Sequence, residues 1–285
     1  MKLLAEKKVL VTGATSGIGR VAAGELAALG ARLVFMARNR EKAEAARAWI
    51  VSETKNEEVS FIIADFSSLE QVRSAAREYL AHNGGPDVLV NNAGGLFLGR
   101  SESVDGFEMT FAVNHLAPFL LTNLLLESMR HSVPARIVNV SSAAHRGARI
   151  AFDDLDLKKG YGGMRAYSRS KLANLLFTFE LARRLEGTGI TVNALHPGFV
   201  ATDFGKNNGG IARLFLPLAQ RLGRARSPEE GARTTVYLAS SPEVEGVSGK
   251  YFADSGEARP SPEALDTASM QRLWEVSCSL TGLTS

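Results

Sequence analysis

Tyr167 and Lys171 stand four residues apart in the run Tyr167-Ser168-Arg169-Ser170-Lys171. On a helix that spacing turns both side chains the same way. A free phenol titrates near ~10 and is a poor acid–base catalyst at neutral pH. A neighbouring ammonium favours the phenolate and brings that value toward the working range. The strand-like run before this helix ends in Ser141-Ser142, and a hydroxyl at a strand end can hydrogen-bond a substrate oxygen as negative charge develops on it. Asn114 is a polar residue inside the apolar run Phe111 to Leu121. A buried amide needs partners, and an ordered water leading toward Lys171 would supply one. These residue types suit proton transfer at a substrate oxygen.

A second cluster lies near the N-terminus. Thr12-Gly13-Ala14-Thr15-Ser16-Gly17-Ile18-Gly19 follows a strand-like run and opens a helix-like one. Glycines allow a tight turn and close approach of backbone to phosphate, and a helix N-terminus offers free N–H groups. The loop therefore reads as a dinucleotide site, although its glycines are not spaced as G-x-G-x-x-G. A 2′-hydroxyl is normally held by an acid at the end of the second strand, whereas a 2′-phosphate needs cations. Here that strand ends Met36-Ala37-Arg38-Asn39-Arg40, with Arg20 expected to point at the same spot. Arg20 and Arg38 favour NADP(H) over NAD(H). Asp65 is placed to accept from the adenine amino group with Phe66 beside it, and Asn91-Asn92-Ala93-Gly94 offers small residues against which the cofactor can lie.

The elements that must position these groups alternate along the chain. Strands are predicted at Lys8–Thr12, Ala31–Ala37, Val59–Ala64, Asp87–Asn91, Ala135–Ser141, Ile190–His196 and Lys250–Ala253, mostly continuous apolar runs of the kind buried on both faces. Helices are predicted at Ile18–Leu29, Arg40–Lys55, Ser68–Ala81, Phe107–Arg130, Tyr167–Glu186 and Pro228–Ala239. The alternation predicts a single-domain, doubly wound Rossmann-type α/β fold, with about seven parallel strands and helices on both faces. No linker divides residues 1–285. Two excursions, 143–165 and 201–227, leave from strand carboxyl ends and read as walls or lids of a pocket; a C-terminal extension occupies 260–285. Leu96, Phe97, Phe152, Tyr161, Met164, Phe199 and Phe204 would make those walls apolar.

Composition excludes several classes. Of 285 residues 45% are hydrophobic and 22% charged, which fits a globular protein and not a disordered one. The net charge, 33 − 30 = +3, is too small for a nucleic-acid binder. A single cysteine, Cys278, fits a reducing compartment, so a cytoplasmic location is expected. The opening MKLLAEKKVL is too short and charged for a signal peptide, and no membrane span is expected. His196 has no partners at metal-ligand spacing, so no metal site is expected; His115 and His145 fit pocket packing as well as substrate contact.

Taken together, T-G-x(3)-G-x-G, N-N-A-G, the helix asparagine, S-S, Y-x-x-x-K and Pro197-Gly198 strongly resemble the short-chain dehydrogenase/reductase family, from Lys8 to about Phe252. The resemblance implies Asn114, Ser142, Tyr167 and Lys171 as the catalytic four, with Ser142 chosen over Ser141 because the second serine usually takes that role. It implies Gly13, Thr15, Ser16, Gly17, Ile18, Gly19, Asn92, Ala93 and Gly94 beside the cofactor, and Pro197, Gly198, Val200 and Thr202 around the nicotinamide. Tyr167 and Lys171 would also touch the cofactor, Lys171 at the ribose. Ala37-Arg38-Asn39, Val113-Asn114-His115-Leu116, His145, Ser170-Lys171-Leu172-Ala173-Asn174 and Leu273-Trp274-Glu275 look like the retinol dehydrogenase and WW-domain oxidoreductase branch. Many animal members carry an N-terminal membrane anchor, which is not expected here. The implied activity is NADP-dependent hydride transfer to or from the carbonyl or alcohol carbon of a small molecule that is a bulky hydrophobic aldehyde, ketone or alcohol, retinoid-like, aromatic or lipid-derived; a steroid-type or 3-oxoacyl reductase, or a redox-silent NADP sensor, are the alternatives. The resemblance also implies a homodimer or homotetramer paired through Phe107–Arg130 and Tyr167–Glu186.

Overall fold

In the run Lys8–Thr12 (β1), Val9 and Val11 face one buried apolar cluster and Leu10 faces another. A strand that is apolar on consecutive residues needs cover on both sides, and the sheet built on it has that cover. The computed structural model describes residues 2–200 and 226–284. Its other strands are β2 Arg32–Ala37, β3 Val59–Ile63, β4 Val88–Asn91, β5 Ala135–Val140, β6 Ile190–Leu195, β7 Lys250–Ala253 and β8 Gly256–Glu257. Their order is β3-β2-β1-β4-β5-β6-β7-β8, parallel throughout except for the antiparallel pair β7–β8. The order reverses between β1 and β4, which opens a crevice at their carboxyl ends.

Helices α1 Gly17–Ala28, α2 Arg40–Thr54 and α6 Pro228–Ser240 supply one apolar cluster through Ala23, Leu26, Ile50 and Leu238. The opposite cluster draws on α3 Leu69–Asn83, on α5 Gly163–Arg184 and on α7 Thr267–Thr281. It also draws on α4, which runs Met109–Phe111, widens into a π turn over Ala112–Leu116 and continues as Ala117–Met129. α4 is long and apolar enough to cross a membrane, but most of that stretch is buried inside the domain, where Phe119, Leu120, Leu121 and Leu125 pack in the core. Asn39, Ser68, Ser227 and Asp266 cap α2, α3, α6 and α7 with their side chains.

Three differences from the sequence expectation have physical causes. β8 is an eighth strand of two residues, too short to carry any hydrophobic pattern. α5 begins at Gly163, one turn before the predicted Tyr167, where the chain comes so close to the loop after β4 that a Cβ on Gly163 would lie 2.6 Å from the Phe97 carbonyl oxygen. The extension 260–285 holds a full helix, α7, stopped by Gly282 in the left-handed conformation (φ 65°). α7 lies across α5 and reaches α4: the Trp274 ring meets Phe119 edge-on at 5.0 Å and Phe177 at 6.0 Å, and Arg184 stacks on it at 4.2 Å. That part of the α4–α5 face, expected to meet a second subunit, is thus covered by the chain's own C-terminal helix.

The ring of Trp274 is almost wholly buried, so Trp274→Ala is expected to lower the free energy of unfolding by about 3 kcal/mol or more. Urea denaturation of variant and wild type measures this; a loss below about 1 kcal/mol would show that α7 is only loosely docked.

Candidate active site

β5 delivers Ser141 and Ser142 to the carboxyl edge of the sheet, and their hydroxyls take different partners. Ser141 Oγ donates to the Lys171 carbonyl oxygen at 2.8 Å and is spent on anchoring α5. Ser142 Oγ accepts from the Ala144 N–H at 3.2 Å and shares a hydrogen bond with the Tyr167 phenol. Lys171, on the same face of α5, is buried; its Nζ donates to the Val140 carbonyl oxygen at 2.9 Å and lies 5.7 Å from the centre of the Tyr167 ring. A hydroxyl, a phenol and an ammonium are therefore gathered between β5 and α5.

The ionisation of this group departs from the sequence expectation. Burial pushes the Tyr167 phenol up to about 12, opposed by its hydrogen bond with Ser142. Burial also brings the Lys171 ammonium down from 10.5 to about 8. In the protein alone, withdrawal from water outweighs the attraction between ammonium and phenolate on which a lowered phenol depended.

Asn114 sits in the π turn of α4 and is fully buried. Its amide is held by protein groups on two sides. Nδ2 donates to the Gly95 carbonyl oxygen and to Ser170 Oγ, both at 2.9 Å, and Oδ1 accepts from the Gly95 N–H at 2.8 Å. Asn114 thus fastens the loop after β4 to α5 at Ser170, next to Lys171. A Cβ on Gly94 would lie 3.2 Å from Asn114 Oδ1 and 3.5 Å from Lys171 Nζ, so only a glycine leaves this neighbourhood undisturbed.

The glycine loop is tied to the same place. Thr12 Oγ1 accepts from the N–H groups of Asn92 at 3.0 Å and Ala93 at 2.9 Å, and Asn92 Nδ2 donates to the carbonyl oxygens of Thr12 at 2.9 Å and Gly13 at 3.1 Å. Gly13 and Gly17 take positive φ (72° and 54°). A Cβ on Gly19 would come within 2.3 Å of Asn92 Nδ2, and one on Gly13 within 2.8 Å of Ala93 Cα. Ser16 precedes α1 without a side-chain cap, and the first turn of α1 carries no acid. The helix therefore presents open N–H groups and its positive end beside Thr15, Ser16 and Ile18, a donor set that fits phosphate oxygens. Beyond β6, Pro197, Gly198 (φ 80°) and Val200 lead toward this loop: a Cβ on Gly231 would touch both Val200 and Ile18, at 2.7 and 3.1 Å. Thr202, Phe204 and nearly all of excursion 201–227 lie outside the described residues.

Several expected contacts are placed elsewhere. Arg38 is exposed at the end of β2 and makes no ion pair among the described residues. Arg20 instead stacks on Trp49 of α2 at 4.7 Å, within range of the charge of Glu229, because the indole offers its guanidinium a flat partner. Asp65 uses Oδ1 to accept from the Ser67 N–H at 2.9 Å. Phe66 is turned into the core among Val72 and Ala75 and does not lie beside Asp65 at the surface. Phe152 is drawn toward α7, with Arg272 at 4.4 Å over its ring. Tyr161 donates to the Phe97 carbonyl oxygen at 2.7 Å, joining the two loops, while Met164 and Phe199 are exposed.

Two further sets of buried polar residues support the site. Asn91 Nδ2 donates to Thr122 Oγ1 at 2.9 Å and Asn139 Oδ1 at 2.8 Å, and Asn139 Nδ2 donates to Thr178 Oγ1 at 2.9 Å, a buried polar ladder from β4 through β5 to α5. Arg169, between Tyr167 and Lys171, is buried; it donates to the carbonyl oxygens of Asp154 (2.8 Å) and Leu155 and lies 4.0 Å from the buried Glu108. The signal was available: asparagines inside apolar strands and an arginine on the inner face of an amphipathic helix both demand partners.

Residues 7–210 match the family described as short chain dehydrogenase. Retinol dehydrogenase 14 of Homo sapiens is 46% identical, over 99% of this chain and 88% of that protein. Retinol dehydrogenase 13 of Homo sapiens is 44% identical, over 97% and 85%. Among solved structures, an uncharacterized protein from Mycobacterium Paratuberculosis superposes with a TM-score of 0.78 at 34% identity, covering 98% of this chain and 94% of that one. The Pseudomonas aeruginosa RhlG/NADP active-site complex superposes with a TM-score of 0.71 at 28% identity, covering 87% and 94%.

The buried ammonium has a measurable consequence. Because the Lys171 pKa falls from 10.5 to about 8 on folding, the unfolded chain holds more protons between those values. Stability therefore rises with pH across that window, and the full penalty applies below it. Lys171→Met is expected to stabilise the protein at pH 7 by about 2 kcal/mol, after allowing for the lost bond to Val140. The advantage should shrink as pH climbs from 8 toward 10.5. Urea unfolding at pH 7 and pH 10 checks this, and a variant less stable than wild type at pH 7 would contradict it.

Proposed function

The chain belongs to the short chain dehydrogenase family, and from that premise we propose that it is an NADP(H)-dependent oxidoreductase acting at the carbonyl or alcohol carbon of a bulky apolar substrate. The observation that carries the reading is the meeting of Ser142, Tyr167 and Lys171 between β5 and α5. The choice of cofactor is supported by Arg38 at the end of β2, where no acid competes, and by the related RhlG structure, which is a complex with NADP. The substrate class is supported by the retinol dehydrogenases, 46% and 44% identical, and by the apolar character of Leu96, Phe97, Met164 and Phe199.

The open N–H groups of α1 and the backbone of Gly13–Gly19 would receive the phosphates, and Arg38 would hold the 2′-phosphate. Asp65, with one carboxylate oxygen left over from its turn, takes the adenine amino group. Asn92, Ala93 and Gly94 would form the floor, Pro197, Gly198 and Val200 would flank the nicotinamide, and Lys171 would hold its ribose; Thr202 lies outside the described residues. When bound, the nicotinamide supplies or accepts the hydride.

The protein's own residues manage the proton. In reduction, Tyr167 Oη–H gives its proton to the carbonyl oxygen, while Ser142 Oγ–H hydrogen-bonds the same oxygen as charge builds on it. The phenolate left on Tyr167 is steadied by the Lys171 ammonium. In oxidation the proton returns by the same atoms. Asn114 keeps the Gly95 loop and α5 in register through Gly95 and Ser170, a positioning duty.

Purified protein mixed with NADPH and a panel of apolar aldehydes and ketones should consume NADPH absorbance. Tyr167→Phe should lower kcat by about 10²–10⁴ with cofactor binding retained. Arg38→Ala should weaken NADPH binding roughly tenfold and leave NADH binding unchanged. Tight NADPH binding without turnover across the panel would refute the enzymatic reading. A preference for NADH would refute the part given to Arg38 alone.

A further inference from the structure

Ser142 is followed by a single 3₁₀ turn, Ala143–His145, and the third residue of that turn reaches back. His145 Nδ1 lies 2.7 Å from the Ser142 carbonyl oxygen, which also accepts from the His145 backbone N–H at 3.1 Å. On the far side of the ring, Nε2 faces the backbone N–H of Ser261 at 3.1 Å. An amide N–H can only donate, so Nε2 must hold the lone pair and Nδ1 the proton. The tautomer that donates to Ser142 is therefore selected by Ser261, more than a hundred residues later in the chain.

The ring is fully buried and edge-on to Tyr251 of β7 at 5.3 Å. Arg146 from its own turn, His196 from beyond β6 and Glu263 from the C-terminal segment are the charged or titratable groups that bear on it. Burial, the largest influence, disfavours its cation, as do Arg146 and His196; the hydrogen bond to the Ser142 carbonyl and, more weakly, Glu263 oppose them, and the net shift is downward. A proton on Nε2 would also face the Ser261 N–H head-on. The Arg146 guanidinium donates to the Arg259 carbonyl oxygen at 2.8 Å, a second tie between the same two segments.

We propose that His145 is a positioning residue: its neutral ring, braced by the Ser261 N–H, fixes the Ser142 carbonyl and thereby aims the Ser142 hydroxyl at Tyr167. The Ser142 oxygens are then held from two sides, the carbonyl by His145 and the hydroxyl by Ala144. The C-terminal segment thus supports the reaction centre without touching it. This inference rests on the role given to Ser142 above.

Ser261 has φ −72° and ψ 156°, which a proline can adopt; Ser261→Pro removes the N–H that faces His145 Nε2, together with the hydroxyl, and puts ring atoms in the place of that hydrogen. Single-turnover NADPH oxidation with the best apolar aldehyde is compared for wild type, Ser261→Pro, Ser142→Ala and the double variant. Ser261→Pro is expected to slow turnover roughly tenfold, because sub-ångström misplacement of a reacting group is costly, with KM for NADPH unchanged. In the Ser142→Ala background the same substitution should have no further effect, since the coupling runs through Ser142. His145→Leu should lose at least as much activity. His145→Asn, whose amide can still donate to the Ser142 carbonyl but cannot reach the Ser261 N–H, should recover activity only to about the level of Ser261→Pro. Independent, additive effects of Ser261→Pro and Ser142→Ala would overturn the proposal, as would wild-type rates in both Ser261→Pro and His145→Leu beside an inactive Ser142→Ala. A fully active Ser142→Ala would instead overturn the role of Ser142 on which the proposal stands.

Discussion

An ammonium withdrawn from water at the end of a parallel strand is the constraint around which this molecule is arranged. Lys171 has its Nζ on the Val140 carbonyl oxygen and almost no exposure to solvent. Burying a charge is unfavourable by several kcal/mol unless partners compensate, and the depression of its pKa to about 8 records that only part of the compensation is present. A group held so uncomfortably persists where its charge is needed. Tyr167 lies directly beside it, and the Gly94 turn, next to the loop strapped to the glycine loop by Asn92, comes up against the same spot.

Keeping that ammonium in place requires that α5 not move, and α5 is gripped along its length. Ser141 holds its backbone at Lys171, Asn114 holds Ser170, and Thr178 ends the polar ladder from Asn91 and Asn139. Arg169 reaches outward from the same helix to the carbonyl oxygens of excursion 143–165, near the buried Glu108. α7 closes over the far side through Trp274. Hydrogen bonds in such a setting are worth more than on the surface, and each one left unmade would cost more. The stretch of α5 that carries Lys171 is thus held by partners on several sides.

The fold was legible because its signal is periodic and local. Seven strands lie within one or two residues of their predicted ends, since buried parallel strands show continuous apolar runs and the turns between them carry Gly, Asn and Asp. α7 was missed although its buried positions, Leu273, Trp274, Ser277, Cys278 and Thr281, follow a helical spacing between the cap Asp266 and the stop Gly282. The strand–loop–helix position of the glycine loop and the shared helix face of Tyr167 and Lys171 were legible in the sequence, and the structure has both. What those groups do to each other's protons was not, because burial is set by residues distant in sequence. The same holds for Phe66, which points into the core, for Arg20, which prefers Trp49, and for Asn114, whose partners lie on another loop and another helix.

The central claim is that the Lys171 ammonium sustains proton transfer from Tyr167. Its most direct test is the pH dependence of the single-turnover rate of NADPH oxidation by an apolar aldehyde. Tyr167 keeps its proton well above neutral pH, so the group that changes state first is Lys171. The rate should be level below neutrality and fall as pH rises through about 8, where the ammonium loses its charge. A rate that stays level to pH 10 would show that the charge on Lys171 does not govern the reaction.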